Sequence, residues 1–179
     1  MAKEELPMWI GYYEGMVVSG PLLKTTIPDL TFNDSLWIHG SKRSIELVEC
    51  KNGHTPSDLI MLLPKDGIVF MGDLLFVNRH PYLGDGSPQS WHDHLEKLQA
   101  DTGYTRYVPG HGPVGGKKEV NMIIRYIEDL QKLVKSGIEK NQPDSIIIKY
   151  PVPDAYKDWW FGRFYKPNLA FLCNELRKK

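Results

Sequence analysis

The chain has 179 residues, 41% of them hydrophobic and 25% charged, and its 22 lysines and arginines balance 22 aspartates and glutamates. That is the length of one ordinary domain with room for a real core, and the composition excludes intrinsic disorder. Zero net charge offers no field to attract nucleic acid or an acidic membrane surface, and no apolar run approaches the roughly 18 residues of a membrane span.

From residue 1 to about residue 31 the pattern is weak, with three prolines, scattered aromatic residues and no clean period. Charges and Pro7 interrupt the first eleven residues, so no signal-peptide core is visible. Residues 36–38 and 44–49 read as two strands joined by a turn at Gly40-Ser41-Lys42-Arg43. A third strand spans 58–63, and the turn Pro64-Lys65-Asp66-Gly67 leads into a fourth at 68–71, ending in Gly72-Asp73. A loop rich in glycine, proline and aspartate follows from 78 to 88. Ser87 or Ser90 then caps a helix from about 89 to 100, with Trp91, Leu95 and Leu98 on one face. Residues 107–108 form a short strand. The longest helix runs from 117 to 135, its apolar stripe made by Val120, Ile123, Ile124, Ile127, Leu130 and Val134, with Gly137 as its stop. Residues 154–160 and 168–176 are shorter helices. With no repeat and no linker, residues 1–179 read as a single domain.

Two cysteines, Cys50 and Cys173, lie outside any zinc spacing and read as free buried thiols of a reducing, cytoplasmic protein. There are six histidines. His54 follows Gly53 between the second and third strands, His111 follows Gly110 after the short strand, and Asp73 follows Gly72 at the end of the fourth. Residues at strand ends sharing one rim can converge, and two imidazoles with a carboxylate suit zinc, iron or manganese. His92 and His94 stand about 200° apart on a helix, a poor chelating geometry, and read as surface residues, as does His39 beside the Gly40 turn. Gly115-Gly116-Lys117-Lys118 reads as a turn feeding a helix, with only a faint suggestion of anion binding.

The stretches Gly53-His54-Thr55-Pro56-Ser57-Asp58, Phe70-Met71-Gly72-Asp73-Leu74-Leu75-Phe76 and Val108-Pro109-Gly110-His111-Gly112-Pro113, in this order and spacing, resemble the metallo-β-lactamase superfamily. The resemblance covers residues 36 to 133. It implies an α+β fold, the αββα sandwich, with a metal site at one edge of its two sheets. It also implies that His54 binds a first metal, Asp73 bridges two metals and is the catalytic carboxylate, and His111 binds the second. The two ions of such a site share a hydroxide that attacks an ester, thioester or lactam-type carbonyl. The cofactor implied is zinc, one or two ions, with iron or manganese as alternatives and none if the isolated chain leaves the site incomplete.

The family's upstream HxHxDH motif is absent from the 179 residues. The chain therefore reads as the C-terminal half of the fold, one mostly antiparallel sheet with helices on one face. Ser57 stands where the family more often has glycine. On the loop after Asp73, the resemblance makes His80, Tyr82 and Asp85 substrate contacts for a small molecule. Half a sandwich leaves an apolar sheet face open, so a homodimer or a separate N-terminal fragment is the expected partner. The alternative reading is a catalytically silent metal-binding or interaction module.

Overall fold

The computed structural model describes residues 5–178. They fall into two compact units, Met1–Phe32 and Asn33–Lys179. In the first, helix α1 (Glu5–Ser19) runs into a 3-10 turn at Gly20–Leu22. Its aromatic residues meet edge to face, Trp9 against Tyr12 and Tyr12 against Tyr13, and Val17, Val18, Leu22 and Leu23 stay exposed.

The second unit begins as the sequence predicts. Strands β1 (Ser35–His39), β2 (Ser44–Lys51), β3 (Ser57–Leu63) and β4 (Ile68–Phe76) form an antiparallel meander, and β5 (Arg106–His111) adds to β4 in parallel. The Gly40 N–H donates to the Arg43 carbonyl at 2.8 Å and closes the first hairpin. Gly67, in the left-handed region at φ +63°, turns the chain into β4. β4 is longer than its apolar run suggests. Gly72, at φ +52°, shifts the β4–β5 register, and the strand resumes through Asp73 to Phe76. Asp73 thus sits at a bulge inside the strand rather than at its end, and bulges re-aim side chains in this way.

Helices α2 (Pro88–Ala100), α3 (Lys117–Glu139) and α5 (Tyr165–Arg177), with a short α4 (Asp144–Ile147), bury the core. Cys50, Ile60, Leu62, Val69, Met71 and Tyr107 of the sheet are all buried in it. Ser87 caps α2, its Oγ accepting from the Ser90 N–H at 3.2 Å. At the start of α3, Glu119 Oε2 accepts from the Gly116 N–H at 2.7 Å and Lys117 Nζ donates to the Gln99 carbonyl at 2.7 Å. The Gly115–Lys118 stretch is therefore a helix-entry turn with its groups engaged.

Two helix expectations change. Gly137 does not stop α3; it lies inside the helix and is buried, because a Cβ there would come within 2.7 Å of Ile147 Cγ1. Residues 154–160 hold only a 3-10 turn at Asp154–Tyr156. Both cysteines are free and buried, and burial, aided by the charge of Asp58, pushes the Cys50 thiol up to about 11. No helix among the described residues is long and apolar enough to cross a membrane.

Alternation carries apolar side chains to the opposite face of the sheet as well. Leu36, Leu47, Met61, Phe70 and Val108 lie opposite one another in a single row across all five strands. The pairs Ile38–Ile45 and Leu63–Ile68 continue that face, and none of these nine residues is buried.

Candidate functional site

His54 is carried by the loop from β2 to β3. Asn52, at φ +54°, turns the chain, and its N–H donates to the Pro56 carbonyl. Asp58 then ties the loop down, accepting from the Thr55 N–H at 2.8 Å and the Thr55 hydroxyl at 3.0 Å. The imidazole packs edge-on against Trp91 at 5.4 Å and against Phe76 at 5.6 Å. His111 ends β5 and stacks against the same phenylalanine at 4.9 Å. Phe76 thus gives both imidazoles an apolar neighbour.

Asp73 reaches His111 directly, Oδ1 lying 3.5 Å from Nε2. Gly110 makes this approach possible, since a Cβ there would sit 2.0 Å from Asp73 Oδ1 and 2.8 Å from the Gly72 carbonyl. His54, Asp73 and His111 line one cavity of about 350 Å³, together with Tyr82 and Asp85. Five of the six residues expected at the site are therefore brought together.

His80 is the exception, and the expectation of a substrate contact there fails. The side chain is 1% exposed, enclosed by the rings of Tyr126, Trp159 and Tyr165, with Nδ1 3.0 Å from the Tyr126 hydroxyl. Burial pushes its pKa down to about 4 against a weaker opposing backbone hydrogen bond at Tyr156. Its place in the fold is to hold the loop. Asn168, also buried, accepts from the Leu83 N–H at 2.9 Å and donates to the Pro81 carbonyl at 2.7 Å. With Tyr126 bridging His80 and Asn168, this polar knot fixes the backbone on either side of Tyr82.

The sequence reading missed Phe161, Arg163 and Phe164, which complete the cavity wall. They come from residues 154–164 and are pinned by main-chain bonds: the His80 N–H donates to the Trp160 carbonyl and the Trp160 N–H to the Asn78 carbonyl. Phe161 takes φ +64°, rare for an aromatic residue, and its ring meets His111 edge-on at 5.5 Å. Arg163 lies over Phe161 and Phe164 at 5.0 and 4.5 Å. The run Trp159-Trp160-Phe161 was the available signal, but nothing in it says which rim it joins.

As metal donors, Asp73 and His111 fit. Two atoms each about 2.0–2.2 Å from one ion lie roughly 3–3.5 Å apart, the separation seen here. His54 faces the same cavity without closing into one cluster with them. Among the described residues, the group whose ligand atoms all lie within 4.8 Å of one another is His92, Asp93 and Glu96. Neither His92 nor His94 is the surface residue expected: both are half-buried, His94 with Nε2 2.9 Å from the Lys51 carbonyl and His92 with Nε2 3.0 Å from Glu128 Oε1. His39 is exposed, as expected, with Nδ1 2.9 Å from the Ser44 hydroxyl.

No family model matches the sequence. The metallo-β-lactamase type 2 of Bacteroides fragilis is 29% identical over 114 residues, 59% of this chain and 46% of that protein. The solved metallo-β-lactamase from Pontibacter korlensis is 25% identical, with a TM-score of 0.52 over 63% of this chain and 54% of that one. TMB-1, at 16% identity, has a TM-score of 0.51 over 63% and 53% and shares the fold alone. The chain spans about half the length of the relatives it matches. Over this part of its length it resembles the metallo-β-lactamases and has a partial form of their fold.

Proposed function

We propose that this chain supplies the C-terminal half of a metal-dependent hydrolase site acting on an ester, thioester or lactam-type bond. The observation that carries this reading is the meeting of His54, Asp73 and His111 on one cavity, with Asp73 Oδ1 and His111 Nε2 3.5 Å apart. Asp73 and His111 would hold one ion together, and His54 would serve a second position with Asp73 between them. When bound, a zinc-type ion polarises a carbonyl and activates water; iron or manganese can serve the same donors. Around it, Phe76, Phe161 and Phe164 exclude bulk water, Tyr82 and Asp85 contact the small-molecule substrate at the rim, and Arg163 adds positive charge to the wall.

The remaining donors come from outside these three motifs, and the open sheet face is where a second copy or an N-terminal segment would bring them. Two free, buried cysteines support a cytoplasmic protein. Zero net charge argues against nucleic acid or membrane partners. That same open face favours a second reading, a silent module whose function is assembly.

Elemental analysis of the tag-free protein, run beside hydrolysis of thioester and lactone substrates, decides between them. One or two zinc ions per chain, with His111→Ala losing metal and more than ~100-fold of turnover, supports the hydrolase. Turnover unchanged in His111→Ala overturns it, and neither metal nor turnover leaves the assembly module.

A further inference from the structure

We propose that His92, Asp93 and Glu96 of α2 form a zinc-class cation site separate from the cavity above, with Glu128 of α3 orienting the histidine. Residues 92 and 96 are one helical turn apart and share a face. His92 Nδ1 lies 3.5 Å from Asp93 Oδ1 and 3.7 Å from Glu96 Oε2. Nδ1 is a buried atom with no hydrogen-bond partner. The other ring nitrogen, Nε2, lies 3.0 Å from Glu128 Oε1. An ionised carboxylate only accepts, so in the neutral ring this bond places the proton on Nε2. Nδ1 is then a lone pair facing two carboxylate oxygens: three acceptors converge with no donor among them.

Such a set is satisfied by a cation at its centre or by a second proton on the ring. The carboxylate bond at the far nitrogen is the arrangement that orients metal-binding histidines and makes them more basic. Asp93 and Glu96 are each more than half exposed, so an ion enters from solvent and water fills its remaining positions. An imidazole beside two carboxylates suits zinc and its neighbours better than magnesium or calcium, which take oxygen ligands. Competing charge is modest. Gln89 donates to Asp93 Oδ1 at 2.9 Å, Lys97 acts on Asp93 through its charge, and Lys117, Lys118 and Arg125 share the groove that Glu96 and Glu128 line. Among the described residues, the ion pairs of Asp93, Glu96 and Glu128 all go to His92. An ion here would stiffen α2 against α3. The neighbouring Trp91 packs on His54, so occupancy would also steady one wall of the cavity.

The full chain carrying His54→Ala and His111→Ala, which removes the cavity histidines, is titrated with zinc by calorimetry and with cobalt by absorption. About one ion per chain is expected, weakened at least tenfold by Glu96→Gln or Asp93→Asn. Both are exposed substitutions whose fold is checked by circular dichroism. Glu128→Gln should weaken binding roughly 10–100-fold through loss of orientation. Absence of zinc binding in the double variant, or binding unchanged by Glu96→Gln and Asp93→Asn, overturns the site. So does an imidazole nitrogen spectrum showing both His92 nitrogens protonated at pH 8 and unmoved by zinc.

Discussion

On β4, Met71 is fully buried, while Phe70, its neighbour in the chain, keeps 37% of its surface. The two belong to opposite faces of one sheet. Met71 faces the helices with Val69, Ile60 and Tyr107, whereas Phe70 stands in the five-residue apolar row outside the buried core. A sheet with one solvated face ordinarily alternates apolar with polar residues. Here both faces are apolar, the pattern of a sheet covered on both sides. The difference teaches that the covered face makes the unit fold, and that the open face is where the proposed partner would sit.

Met71→Ala should break the first half of that comparison. Removing a fully buried side chain costs about 2–5 kcal/mol, read by urea unfolding. Acid should attack the same side through His80. Its folded pKa, about 4, lies below the ordinary 6.5, so the unfolded chain binds more protons between those values. The stabilisation is complete above pH 6.5 and is lost as pH falls through 4. It amounts to about 3 kcal/mol at most, and a His80→Gln variant should lose that slope in pH-dependent melts. Phe70→Ala should give the smallest effect on folding, under ~1 kcal/mol, since little of its contact is with the core. Its effect belongs to assembly instead. Light scattering should show a larger particle for the parent chain than for Phe70→Ala, and equal masses would remove the open face as the partner site.

The strands and the two long helices were legible because their apolar periods are clean and their turns carry glycine, proline or a cap. Helix α1 was not, because Trp9, Ile10, Tyr12, Tyr13, Val17 and Val18 surround its axis without a stripe and Gly11 and Gly15 interrupt it. At the site, His54, Asp73 and His111 were readable because the stretches around them match one family's motifs in order and spacing. The wall from residues 161–164 was not, being set by main-chain bonds to a loop some eighty residues earlier. His80 misled for a related reason: its loop sequence looks exposed, and the rings that enclose it come from α3 and from residues 159–165, far along the chain.

Gly110 has backbone angles outside the left-handed region, so its own conformation would accept any residue. What forbids a side chain there is the Asp73 carboxylate together with the Gly72 carbonyl, 2.0 and 2.8 Å from where a Cβ would stand. A residue larger than glycine at 110 would therefore push on the bulge of β4 as well as on the acid it presents, so the cavity's shape at this point is written in main chain and not only in side chains.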